Sequence, residues 1–378
     1  MIKKDNKIDS ELEEFLNFYF RNKEIQHVEF YSIADGLAGI LVLLAQYYIS
    51  EDDLIKKKEL EKRAWFYLNT INESSIEVSQ SNRGLWTGPL GISTAIDFWT
   101  QVSIDQDFAT KWNEFNNLYY KNILPMLCKW ANLNLDDLRS KFNKDIIFGL
   151  PGVLNYICNC TIAYEHEQRQ KMFTPVVTKL FKLDLISRYS KNDNEINPRD
   201  IGMAHGLAGA IFSILQYDYL FNEASYIPQL SLWSNYFLKY VKFLLTLKNK
   251  KEYLFIKNWC TGLPGIINLL RIMGNVDGYS EIQNYINYES SSINGYDNLC
   301  LCHGDGSILL ADYIFNSNLH CEELLNTNIF MSYNCQSCSM LSGVGGILTF
   351  KQAAKSSSPF LLSWLLGLND FRNHTYKG

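Results

Sequence analysis

The sequence predicts an all-α chain built as a ring of seven helical hairpins, and three observations lead to this prediction. A short signature, Gly-x-x-Gly followed by an aliphatic residue, returns seven times. Successive copies lie 39 to 61 residues apart, which leaves room in each interval for two helices and their connections. Apolar residues at helical spacing occupy the segments between copies. The copies begin at Gly36, Gly88, Gly149, Gly206, Gly262, Gly304 and Gly343.

Each signature is expected to open the inner helix of a hairpin. Glycine allows a tight turn and a close approach to a neighbouring backbone, and the apolar run that follows is predicted to be buried on most sides. Pro89, Pro151 and Pro264 fall in the predicted first turn, where the missing N–H costs little. The sixth copy alone departs from the pattern, with Ser307 in place of its second glycine.

The segments between signatures predict outer helices. Ser231 to Lys248 and Leu54 to Ile71 place apolar residues three and four positions apart, with polar residues between them. Such hairpins can stack into an open solenoid or close into a ring. Closure is favoured because the seventh copy is followed by apolar sequence and not by a polar capping repeat. No domain boundary is evident, so we expect a single domain over residues 1–378.

The composition and the distribution of charged and apolar residues indicate which kinds of partner and which cellular compartment to expect. The net charge of −5 is spread along the chain without a basic stripe, which argues against nucleic acid. The two most apolar segments, Gly36 to Ser50 and Ser356 to Asn369, are shorter than the about 20 residues of a bilayer span and predict buried core helices. The N-terminus lacks the apolar stretch of a signal peptide, which predicts a cytoplasmic protein. Nine cysteines in a reducing compartment are expected to be thiols or metal ligands.

Residues that can carry chemistry stand just before four consecutive signatures. These are Asp145, His205, Cys260 and the adjacent pair Cys302 and His303. If all signatures lie at one end of the ring, the side chains converge on its mouth. Two cysteines and one histidine are ligands that zinc accepts readily, and they leave a fourth position for water or substrate.

Other cysteines offer alternatives. Cys300 could take the place of Cys302, and Cys335 to Cys338 could form half of a structural zinc site or a redox pair. Cys158 and Cys160 lie in an apolar run and are expected to be buried in the core.

Asp145 and His205 are the candidates for proton transfer. A thiolate that adds to an activated double bond leaves an enolate, and a histidine can donate the proton that the enolate needs. The competing interpretations are a helix cap for Asp145 and a structural imidazole for His205.

The segments Gly202 to Gly209, Asn258 to Gly265 and Leu301 to Gly304 resemble the signature segments of the lanthionine synthetase C-like proteins, the lantibiotic cyclases. The resemblance implies an α/α toroid of seven inner and seven outer helices around a Zn²⁺ ion. It implies an enzyme that adds cysteine thiols of a precursor peptide to dehydroalanine or dehydrobutyrine, which forms lanthionine or methyllanthionine. By match, the zinc ligands are Cys260, Cys302 and His303, and the proton-transfer residues are His205 and Asp145.

The same resemblance implies partners and an alternative. The partners are a dehydrated lantibiotic precursor peptide with its leader, a separate dehydratase and an exporter, in a complex that could hold the protein at the membrane. The alternative is a noncatalytic zinc- and thiol- or peptide-binding protein of the same fold. Apart from the resemblance, a metal-free helical-repeat scaffold is a third possibility. Three departures stand near the ligands: Thr261 where members often have Tyr, Ile256 and Lys257 where an Arg is usual, and Ser307.

Overall fold

Twelve helices are described in a computed structural model of the chain. The described residues are 9–22, 32–72, 84–134, 145–159, 170, 174, 201–221, 227–247, 256–293, 299–316, 339–341, 343–356, 361 and 366–368. In chain order the helices are α1 (Ser10–Asn22), α2 (Leu37–Ser50), α3 (Leu54–Asn72), α4 (Leu90–Val102), α5 (Gln106–Asn134), α6 (Leu150–Asn159), α7 (Leu207–Phe221), α8 (Ile227–Thr246), α9 (Leu263–Ile272), α10 (Val276–Ser292), α11 (Asp305–Asn316) and α12 (Val344–Ser356).

Seven of these are inner helices, and each begins within a glycine signature as predicted. They are α2, α4, α6, α7, α9, α11 and α12. The first of them is buried without interruption from Leu37 to Tyr48, so it has no solvent face. The outer helices α1, α3, α5, α8 and α10 instead bury one face; in α8 the buried residues include Trp233, Phe237 and Leu244. The other two predicted outer helices fall outside the described residues.

Backbone hydrogen bonds join the turns before the inner helices into a closed loop, which we call the backbone circle. Each turn bonds to the next around the molecule, and the seventh returns to the first. The bonds run from Ala34 N–H to Trp86 O (2.9 Å), Trp86 N–H to Ile147 O (3.4 Å), Ile146 N–H to Ala204 O (2.8 Å), Ala204 N–H to Cys260 O (3.2 Å), Cys260 N–H to Cys302 O (3.4 Å), Cys302 N–H to Leu341 O (2.9 Å) and Met340 N–H to Ala34 O (2.7 Å).

The backbone circle decides between a solenoid and a ring. The first and last inner helices, α2 and α12, also pack directly against each other. A buried ion pair between Lys351 of α12 and Glu11 of α1, 2.7 Å long, joins the same two ends of the chain. The fold is therefore an α/α toroid, as the sequence predicted.

The second glycine of the signature is required by a close approach. A Cβ atom added at Gly152 would lie 2.1 Å from the carbonyl oxygen of Ile146, six residues earlier, whereas real Cβ contacts almost never fall below 3.0 Å. The second glycines of four other signatures meet the carbonyl six residues earlier at 2.0 to 2.2 Å, namely Gly39, Gly209, Gly265 and Gly346. Glycine therefore lets these five inner helices start directly against their own turns.

We expect Gly152→Ala to lower the free energy of unfolding by about 3 kcal/mol or more, because a methyl group would collide with a backbone carbonyl that cannot rotate away. The matched control is Gly274→Ala, where a methyl group meets nothing within 4 Å and only the positive φ of 69° opposes it. That control should cost about 1 to 2 kcal/mol. Urea denaturation of both variants measures the difference, and equal losses would contradict the close-approach explanation.

The described end of the C-terminal apolar segment is buried, but it is not the helix that we predicted. Leu366 to Leu368 form a turn in which Gly367 has a φ of 68°. The Trp259 indole N–H donates to the Leu366 carbonyl and the Asn268 amide donates to the Gly367 carbonyl, each at 2.8 Å. Side-chain donors from α9 and from the turn before α9 thus satisfy the carbonyls of the C-terminal turn.

Among the described helices, not one combines the length and the hydropathy that a bilayer crossing requires.

Candidate metal centre

Cys260 and Cys302 occupy the same place in adjacent turns of the backbone circle. Each stands five residues before the second glycine position of its signature, and the Cys260 N–H donates to the Cys302 carbonyl. The equivalence that the repeat predicted is therefore present in the fold. His303 follows Cys302 directly, at the turn position that His205 occupies two repeats earlier.

The side chains of Cys260, Cys302 and His303 meet at one point of the mouth. Their ligand atoms all lie within 4.8 Å of one another, and no other such group is found among the residues that the structure describes. The Cys302 Sγ is 3.7 Å from the His303 Nε2. Tetrahedral zinc, with Zn–S near 2.3 Å and Zn–N near 2.0 Å, separates sulfur and nitrogen ligands by about 3.6 Å. The three side chains form a possible metal site whose donor set and spacing suit zinc.

Burial differs across this group. Both cysteines are buried, whereas His303 is exposed. The site is therefore anchored in the protein on its sulfur side and borders solvent on its imidazole side.

The three groups perturb one another's protonation strongly. The hydrogen bond between the cysteines lowers the pKa of the Cys260 thiol, and His303 lowers it further. The same bond, together with burial, raises the pKa of Cys302. Hydrogen bonds to Cys260 and Cys300 raise the pKa of His303 to about 10. The two thiols and the imidazole are therefore joined by hydrogen bonds. A divalent cation that bound there would displace the protons of these bonds.

Neighbouring side chains contact the candidate ligands. The Cys300 Sγ accepts the backbone N–H of His303 at 3.2 Å, and Cys300 is not part of the group whose ligand atoms lie within 4.8 Å of one another. The Tyr240 hydroxyl of α8 donates to the Thr261 carbonyl at 3.0 Å. Cys158 is buried in α6 as predicted, whereas Cys160 and the segment from Cys335 to Cys338 lie outside the described residues.

Asp145 and His205 form a pair on the two turns before that of Cys260. The Asp145 Oδ2 lies 2.8 Å from the His205 Nδ1, while its Oδ1 accepts the N–H groups of Ile147 and Phe148 at 2.7 and 2.8 Å. One carboxylate therefore caps its own turn, which precedes α6, and also holds the imidazole. The hydrogen bond that the His205 imidazole donates to Asp145 is the main reason that the pKa of His205 is raised.

We expect Asp145→Asn to lower the pKa of His205, because the amide keeps the shape of the turn but removes the negative charge that favours the imidazolium. A ¹⁵N NMR titration of the imidazole measures the shift directly. Asp105→Asn is the matched control, since Asp105 Oδ1 accepts the N–H groups of Asp107 and Phe108 in the same way without an imidazole partner described. A His205 titration unchanged by Asp145→Asn would contradict the pairing.

Two features of the site have no clear sequence signal. The Phe148 ring lies nearly parallel to the His205 imidazole, with centroids 5.9 Å apart. Lys257, which stands beside the position of the usual arginine, pairs with Glu289 of α10 at 2.9 Å and approaches Asp305 at 3.6 Å. Only the place of Asp305 within the sixth signature could have suggested part of this network, because Glu289 lies on an outer helix.

Comparison with known proteins identifies the family. The profile of the lanthionine synthetase C-like protein family matches residues 27–329. This chain belongs to the lanthionine synthetase C-like family. The match includes Asp145, His205 and the three candidate ligands, and it ends before the seventh signature.

Solved structures extend the likeness of this lanthionine synthetase C-like protein to the whole toroid. The structure of a nisin cyclase is 19% identical, has a TM-score of 0.63, and the alignment covers 96% of this chain and 98% of that one. At this identity the likeness supports the fold alone. A comparison with curated protein sequences gave no match.

Proposed function

We propose that the chain is a zinc-dependent lanthipeptide cyclase, which adds cysteine thiols of a dehydrated peptide to dehydroalanine or dehydrobutyrine. The observation that carries the proposal is the meeting of Cys260, Cys302 and His303 at the mouth of the toroid, one turn away from the Asp145–His205 pair. Family membership supports the same reaction, and the toroid that carries the site is the fold of a nisin cyclase.

The proposed reaction begins with activation of the peptide thiol at the metal centre. Zinc, when bound, would act as a Lewis acid that lowers the pKa of the incoming peptide thiol. Cys260, Cys302 and His303 would hold the ion and leave its fourth position to the substrate. The thiolate sulfur then bonds to the β-carbon of the dehydro residue, and the double-bond electrons move into an enolate.

The enolate must next receive a proton at its α-carbon, and in this proposal His205 supplies it. Its Nδ1 faces Asp145, which leaves Nε2 as the nitrogen that can exchange a proton with the substrate. Because the pKa of His205 is raised, its protonated form persists to a higher pH than that of a free histidine. The donor function is therefore lost as the pH rises through this raised pKa.

The test uses the purified protein and a dehydrated peptide that contains cysteine. Elemental analysis should find one zinc per chain, and each thioether ring should consume one thiol without changing the peptide mass. Alkylation of remaining thiols followed by mass spectrometry counts the rings. Bound zinc with an unchanged thiol count would instead support a noncatalytic binding protein, which the replacement of the usual tyrosine by Thr261 motivates. Absence of zinc would favour the metal-free scaffold.

The remaining partners follow from this proposal. A cyclase of dehydrated peptides needs a separate dehydratase to make its substrate, and the family resemblance adds a leader on the peptide and an exporter for the product. We propose that the single domain of residues 1–378 acts in the cytoplasm with these proteins.

A further inference from the structure

Ser307 stands where the other six signatures have glycine, and it makes use of its side chain. It is 2% exposed. Its hydroxyl donates to the Leu301 carbonyl at 2.7 Å, which is the carbonyl six residues earlier that second glycines approach in other repeats. The same hydroxyl accepts the backbone N–H of Trp259 at 3.1 Å. In five other repeats a side chain at this position would collide with the carbonyl, whereas the Ser307 hydroxyl forms a hydrogen bond with it.

The two partners of this hydroxyl belong to the two ligand-bearing turns. Leu301 directly precedes Cys302, and Trp259 directly precedes Cys260. The direct bond between these turns, from the Cys260 N–H to the Cys302 carbonyl, is 3.4 Å and thus among the longest of the backbone circle. The Ser307 hydroxyl adds a second and shorter connection behind the ligands.

The sequence around Ser307 is consistent with such a role. Gly306 would place a Cβ atom 2.2 Å from the Leu299 carbonyl, so the chain must carry glycine immediately before the serine. In this signature the position that must be glycine is therefore 306, and position 307 carries a side chain.

We propose that Ser307 is a positioning residue for the metal centre, which fixes the distance between the Cys260 and Cys302 sulfurs and thereby raises the affinity for zinc. This inference rests on the proposed function, because it requires that these sulfurs bind the ion. Groups that hold metal ligands in place without touching the metal typically contribute about 10- to 100-fold to metal affinity.

The experiment compares zinc dissociation constants, measured by competition with a chromophoric chelator, and visible spectra of the cobalt-substituted protein. Ser307→Gly is the principal variant, since glycine occupies this position in six repeats and should fold. Ser307→Ala is the second. The matched control is Ser32→Ala, which removes a buried turn hydroxyl that accepts the Asp35 N–H at 3.1 Å in a repeat without a ligand.

We expect Ser307→Gly to bind zinc about 10- to 100-fold more weakly than the wild type and to alter the cobalt absorption bands. Ser32→Ala should change neither, and the thermal midpoints of the two metal-free variants should be similar. A purely structural serine would shift the midpoint and leave the dissociation constant unchanged.

The outcomes separate the two proposals. Wild-type protein that binds zinc tightly, with Ser307→Gly binding equally well, overturns the role of Ser307 and leaves the cyclase proposal intact. Wild-type protein that binds no zinc overturns both. If Ser307→Ala fails to fold because its methyl group faces the Leu301 carbonyl without a hydrogen bond, Ser307→Gly still decides the question.

Discussion

Replacing Cys302 with alanine should abolish both zinc binding and thioether formation. Of the three-residue group the variant keeps one sulfur and one imidazole, which are too few to hold the ion tightly at the mouth of the toroid. Zinc content should fall from about one per chain to near zero. The cyclisation rate should fall by about three orders of magnitude or more, since a Lewis acid supplies several kcal/mol of stabilisation to the developing charge. Elemental analysis and the thiol count measure the two effects on one sample.

Cys158→Ala is the matched control for this experiment. Cys158 is another buried thiol, 3% exposed, but it lies in α6 away from the ligand group. Its removal should reduce stability through lost packing and leave zinc content and cyclisation unchanged. Cyclisation by Cys302→Ala at the wild-type rate would refute the proposed mechanism.

His205→Gln should reduce the cyclisation rate while zinc remains bound. Glutamine retains a side chain that can form hydrogen bonds but cannot donate a proton at neutral pH, and general acid catalysis contributes about 10²- to 10⁴-fold. Steady-state kinetics at several pH values provide the measurement. In the wild type the rate should decline as the pH rises through the raised pKa of His205, and in the variant this decline should disappear.

Stereochemistry gives a second readout for His205. A proton delivered from one face produces a single diastereomer at the α-carbon, whereas water reaches both faces of the enolate. We expect the variant to form mixed diastereomers in D₂O, each with one deuterium at the α-carbon. Wild-type rate and a single diastereomer in the variant would show that another group donates the proton.

The sequence predicted those parts of the site that depend on local geometry. Only glycine permits the close approach seen at Gly152, so the signature marked the starts of inner helices, and its variant with Ser307 marked the start of α11. Because these starts are equivalent, the positions of Cys260 and Cys302 before their signatures predicted that the two thiols would lie on adjacent turns.

Other features depend on contacts between residues that are distant in the chain. One of the contacts that close the ring is the backbone hydrogen bond from Met340 to Ala34, and no local sequence pattern encodes it. The pairing of Lys257 with Glu289 required the placement of an outer helix. Apolar composition predicted that Leu366 would be buried but not that it would lie in a turn, because its carbonyl is taken by the Trp259 indole.

The backbone circle leaves the toroid without an end repeat. A linear array of repeats frays from its termini, where each end unit has only one neighbour. Here every turn has two, so melting any hairpin must break contacts on both sides and opens the loop for all the others. Heat should therefore unfold the seven repeats together, and the geometry around Cys260 should survive until the whole molecule melts.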